Sequence, residues 1–135
     1  MASSHDAFRL TAQGAAVAEA RRRVQARLWE WGVDDELSDD AGLIVSELFT
    51  NALRYGDSEK IGCAVRICEG LLRIEVTDGG TGLTVPQPRV AGLDEECGRG
   101  LLLVSVLSRA WGVLAGEGGR GRVVWAELGP VDQPQ

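Results

Sequence analysis

Glu47, Asn51 and Arg54 recur at spacings of four and three in a stretch with helical patterning, so they share one helix face. The side-chain carbonyl oxygen of Asn51 is a proper ligand for a hard cation such as Mg²⁺. A carboxylate one turn earlier, Glu47, can polarise a water or hydroxyl, and Arg54 can bring positive charge to phosphate oxygens. Asp78 closes the apolar run Ile74-Glu75-Val76-Thr77 and starts the turn Asp78-Gly79-Gly80-Thr81-Gly82. A carboxylate there lies at the mouth of a sheet, and Gly80 and Gly82, lacking a Cβ, let backbone approach a flat ligand. Gly98-Arg99-Gly100 precedes an apolar run from Leu101, and a glycine-flanked helix start offers free N–H groups and a positive dipole to anions.

Each segment alone has an ordinary explanation: a solvated helix carboxylate, a surface amide, a D-G-G turn, loop-to-helix punctuation. Their order and spacing unite them, with 27 residues from Asn51 to Asp78 and 20 from Asp78 to Gly98. Together they supply a metal ligand, an acceptor for the adenine amino group and a phosphate cradle, which are the requirements of Mg-ATP binding.

Apolar periodicity predicts the elements that must hold these groups. Val17, Ala20, Val24, Leu28 and Trp31 mark an amphipathic helix over residues 13–31, ended by Gly32, with Arg21, Arg22 and Arg23 largely on its solvated side. A second helix starts near Asp34 or Ser38 and runs to Tyr55, turning Leu37, Ala41, Ile44, Val45, Leu48 and Ala52 to the core. Two strands, 61–68 and 71–77, form a hairpin through Glu69-Gly70. Residues 79–98 read as a long loop of the kind that often forms a lid. A short buried helix from Leu101 to near Ser108 precedes two more strands, 110–115 and 122–128, joined by a glycine-rich stretch. The first residues show no lasting period, apart from a short edge strand at Ala7-Phe8-Arg9-Leu10, and the tail from Gly129 carries no core residue. These expectations amount to a flexible segment over 1–7, one domain over 8–128 and a frayed tail over 129–135. The fold class is α+β, a two-layer α/β sandwich with a mostly antiparallel sheet packed by three helices.

At 135 residues with 44% hydrophobic and 25% charged content, the chain can bury one core without staples. A net charge of −6 argues against a nucleic-acid-binding surface, which rewards clustered Lys and Arg. Every apolar run is interrupted by Arg, Asp or Glu, so no membrane span is expected. Cys63, Cys68 and Cys97 are odd in number and lack zinc-site spacing, and the chain start resembles no leader, which together point to the cytoplasm.

The motifs resemble those of the Bergerat-fold ATP-binding domains of histidine kinases, gyrase-type ATPases and anti-sigma-factor serine kinases. Residues 46–56, Ser-Glu-Leu-Phe-Thr-Asn-Ala-Leu-Arg-Tyr-Gly, are similar to the N-box; residues 78–82 and 98–104 are similar to the two glycine boxes. The Ser-Glu-Leu-x-Thr-Asn-Ala wording is most similar to the anti-sigma-factor kinase branch. The resemblance implies an ATP site with Asn51 on Mg²⁺, Glu47 as base and Asp78 on adenine, with Arg54, Tyr55, Gly80, Gly82, Gly98, Arg99, Gly100 and Leu101 around the nucleotide and residues 83–97 as lid. It further implies phosphorylation of serine or threonine on an anti-sigma-factor antagonist, sequestration of a sigma factor, and room for a homodimer. Two positions depart from the pattern. The last strand reads Arg122-Val123-Val124-Trp125 where relatives often carry Lys-Thr-Val-Trp with a threonine that assists adenine recognition, and Val123 can neither donate nor accept; Tyr55 stands where relatives often have histidine. The only histidine, His5, lies in the terminal segment, with no four-helix dimerisation module expected ahead of the ATP-binding domain, which disfavours a complete histidine kinase. The alternative to a protein kinase is a binding module that sequesters its partner with ATP as a structural ligand.

Overall fold

Alternate residues of the strands are apolar, and each strand therefore has one face to bury. In a computed structural model, described over residues 4–56, 58–78, 102–115 and 121–131 with the Tyr55 side chain set aside, these faces share one side of a five-stranded antiparallel sheet. The elements run β1 (Ser4–Thr11), α1 (Ala15–Glu30), α2 (Asp35–Tyr55), β2 (Lys60–Cys68), β3 (Leu71–Asp78), β4 (Ala110–Ala115) and β5 (Arg122–Leu128), with strand order β1-β2-β3-β5-β4. A further short helix covers 102–107. This is the α+β sandwich expected from the sequence.

Both long helices form where their stripes predict. Ala16, Ala20, Val24 and Leu28 of α1 are buried. Beyond Leu28 the helix closes in a Schellman arrangement: Gly32 at φ 80° donates to the Trp29 carbonyl and Val33 to that of Leu28, while Leu28 and Val33 are both buried. Asp34 caps α2 by accepting from the Leu37 N–H, with Asp35 and Glu36 at the positive end of the dipole. The α2 core face is wider than its expected stripe, since Phe49 is fully buried alongside Ile44, Val45 and Leu48. The β2–β3 connection has positive φ at both Glu69 (53°) and Gly70 (79°), the type I′ geometry that matches strand twist.

Three expectations are corrected. β1 begins at Ser4, not Ala7, because pairing with β2 from Ser4↔Ile67 to Thr11↔Lys60 needs no apolar alternation at an edge. At the other end, Val131 is buried and donates to the Gly70 carbonyl at 2.7 Å, so the described part of the tail is tied to the hairpin turn. The 102–107 helix is not buried throughout: Val104 is inside, whereas Leu102 and Val106 are 62% and 71% exposed. Fewer than two turns present a single stripe to the core.

Candidate functional site

Alternation along β3 turns Leu72, Ile74 and Val76 toward the helices, and the next position in that phase is Asp78. On β5 the inward residues are Val124, Ala126 and Leu128, and the preceding position in phase is Arg122. The ladder register sets Asp78 directly opposite Arg122. Two ionisable residues thus continue the apolar rows at one end of the sheet, and α2 covers them.

From the helix side comes Asn51. It is 9% exposed, Asp78 5% and Arg122 6%, and these three are the buried polar or charged residues among those described. Arg122 Nη2 donates to Asn51 Oδ1 at 2.7 Å and lies 3.4 Å from the Asn51 main-chain oxygen. A guanidinium taken out of water needs such acceptors, with a carboxylate nearby to balance its charge. Asp78 Oδ1 accepts from Ser58 Oγ at 2.5 Å. Its other oxygen, Oδ2, is packed against Gly56, where an added Cβ would land on the carboxylate and lie 2.7 Å from the Ala52 carbonyl oxygen. Gly56 therefore serves close approach: it lets α2 end directly over the Asp78 carboxylate.

The structure thus brings Asn51 and Asp78, two of the sequence-predicted residues, to one buried spot. Glu47, one turn before Asn51, is half-buried; Arg54, three residues beyond, is exposed at the end of α2. The Tyr55 side chain, Gly80, Gly82, Gly98, Arg99, Gly100, Leu101 and the expected lid over 83–97 lie outside the described residues. Arg122, Ser58 and Gly56 are additions. Arg122 carried a readable signal: it is a charge in phase with Val124, Ala126 and Leu128, on the side of the strand that faces the core. Ser58 carried none, since its role depends on where the chain turns after α2.

The sequence over residues 10–127 matches the family described as histidine kinase-like ATPase domain, nearly the whole chain. The chain belongs to that family. An ATPase domain of this kind implies ATP binding, and its fold recurs in solved structures of low sequence identity. The RsbU and RsbW domains of Rv1364c from Mycobacterium tuberculosis superpose with a TM-score of 0.67 at 18% identity, covering 96% of this chain and 35% of that one. This chain therefore corresponds to about a third of that longer protein. The SiaB-SiaC complex from Pseudomonas aeruginosa gives a TM-score of 0.59 at 16% identity over 91% of this chain and 89% of the other. The histidine kinase domain of the blue-light activated histidine kinase from Erythrobacter litoralis EL346 gives 0.52 at 23% identity, over 97% and 65%. No curated protein matches the sequence. Among the described residues no helix is long and apolar enough to cross a membrane.

The histidine kinase-like ATPase fold also implies a magnesium ion on the Asn51 oxygen. That oxygen is the right kind of ligand, but it already accepts from a buried guanidinium. A dication and a guanidinium sharing one oxygen, about 4 Å apart, repel on the order of 8 kcal/mol at an effective dielectric near 20. As arranged, Asn51 and Arg122 suit each other and do not fit a metal ion as well.

Proposed function

We propose that this histidine kinase-like ATPase domain binds ATP where α2, β3 and β5 meet, and that it is a serine/threonine kinase of the anti-sigma-factor type. In this reading it acts in the cytoplasm, phosphorylates an antagonist protein and sequesters a sigma factor, exchanging one partner for the other. The convergence of Asn51, Asp78 and Arg122, far apart in the chain and buried together at the sheet end, carries the reading. Fold likeness to a protein with an RsbW domain and to one solved as the SiaB-SiaC complex supports a regulator that works through other proteins.

Asp78 accepts from the adenine amino group, with Ser58 orienting its carboxylate. Arg54, exposed at the end of α2, meets the phosphates, and the glycine segments 79–82 and 98–100 let backbone N–H groups approach the nucleotide. Glu47 takes the proton from the acceptor serine hydroxyl as the Oγ–P bond forms and the bond to the β,γ-bridging oxygen breaks, releasing ADP. Mg²⁺ would arrive with the nucleotide and offset part of its phosphate charge.

A second reading, a module that uses ATP only as a structural ligand, is favoured by the Asn51–Arg122 contact; Val123, in the opposite phase to Arg122 along β5, faces away from this site. Thermal melting tests the part common to both, because a ligand at 100 times its dissociation constant adds about 2.7 kcal/mol to stability. The absence of a shift at millimolar ATP removes both readings. Transfer of labelled γ-phosphate to an antagonist-like protein, lost in Glu47→Ala, selects the kinase; binding without transfer selects the module.

A further inference from the structure

The contact that disfavours a metal ion on Asn51 has its own function to account for. Arg122 enters the site from the strand opposite Asp78, is as buried as the core around it, and sets one nitrogen on the Asn51 side-chain oxygen at 2.7 Å and near the main-chain oxygen of the same residue. A guanidinium is always charged and its donors are fixed in a plane, so it delivers permanent positive charge at one spot. That spot is the oxygen to which the family resemblance assigns magnesium.

We propose that Arg122 is the resident cation of the nucleotide site: it competes with Mg²⁺ for Asn51 and makes nucleotide binding by this chain nearly independent of magnesium. The inference rests on the ATP reading above and specifies how phosphate charge is met there. An arriving polyphosphate encounters a cation built into the sheet, in register with Asp78 and bonded to Asn51 above. Metal brought on the phosphates then adds little, since its usual protein ligand is engaged.

The test is the affinity of the purified chain for a fluorescent ATP analogue, measured with excess chelator and with millimolar Mg²⁺. For the wild-type chain the two dissociation constants are expected to agree within about threefold. A larger loss in chelator overturns the inference while leaving ATP binding intact, whereas no binding in either condition removes the ATP reading itself and this inference with it. In Arg122→Gln, which keeps a donor amide but no charge, magnesium is expected to tighten binding about tenfold or more, and equal insensitivity in that variant also overturns the role. A second readout needs no nucleotide: Mn²⁺ titration followed by electron paramagnetic resonance is expected to find no bound ion in the wild-type chain and one in Arg122→Gln. Binding of Mn²⁺ at Asn51 in the wild type, shown by its loss in Asn51→Ala, contradicts the competition. If Arg122→Gln does not fold by circular dichroism, the wild-type arms decide alone.

Discussion

Two arginines sit on the β3–β5 strand pair and point to opposite faces. Arg73, on the outer face, donates to Glu75 at 2.8 Å and to Glu127 at 3.1 Å and lies over the Trp125 ring at 4.4 Å, with its side chain 18% exposed. Arg122, on the inner face, meets an amide oxygen and faces a carboxylate beneath α2. The chemistry is similar and the surroundings are not. Outside, the charges pair with one another and stay partly hydrated, so the loss of one leaves its partners within reach of water. Inside, each group depends on the others, because removing one leaves a desolvated partner. A strand pair can thus carry a charged network at the surface on one side and a buried cation on the other, and burial separates the two.

The largest expected effect breaks the inner network. Arg122→Ala should cost about 3–5 kcal/mol of unfolding free energy in urea titration, as expected when a buried guanidinium is removed and the buried carboxylate in register with it is left uncompensated. A loss under about 1 kcal/mol would mean that the inner guanidinium behaves like a surface group.

The same contrast exists on β2, where Cys63 faces the core and Cys68 is exposed. Burial pushes the Cys63 thiol up to about 12 from its ordinary 9.0, partly offset by the charge of Arg23. The unfolded chain therefore releases this proton first. The stabilising contribution is whole below pH 9.0, and falls between 9.0 and about 12 with a slope approaching ~1.4 kcal/mol per pH unit. Cys63→Val should flatten that part of the stability–pH curve, and an unchanged slope would assign it to other groups.

Gly56→Ala sharpens the comparison at the inner site without touching a charge. Its Cβ would strike the Asp78 carboxylate and the end of α2, so a loss of about 1–3 kcal/mol is expected, together with weaker ATP binding. Full retention of both would show that α2 can withdraw from Asp78 without consequence. The smallest effect belongs to the outer face. Arg73→Ala should cost about 0.2–1 kcal/mol, shrink further in high salt, and leave nucleotide affinity unchanged. A loss as large as that of Arg122→Ala would erase the distinction between the two faces.

Much of the layout was legible before folding was considered. The apolar stripe on residues 17–31, the Asp34 cap and the Glu69-Gly70 turn are local signals, since helix period, capping and turn geometry depend on residues a few positions apart. For the same reason Glu47, Asn51 and Arg54 could be grouped on one helix. The start of β1 at Ser4 and the anchoring of Val131 were not legible, because each depends on backbone partners in distant segments, Ile67 for Ser4 and the Gly70 carbonyl for Val131. Arg122 was intermediate: its phase along β5 was visible, but not the residue it would meet.

The sequence alone determined the elements, the antiparallel α+β architecture and the candidacy of Asn51 and Asp78, because those follow from local periodicity and from side-chain chemistry at known spacings. Only the tertiary structure decided that Asp78 and Arg122 face each other in register and that Asn51 closes over the guanidinium from α2. Strand order and helix placement bring residues 51, 78 and 122 within reach of one another. Buried charges then accept whatever partners that packing supplies, which no local pattern can specify.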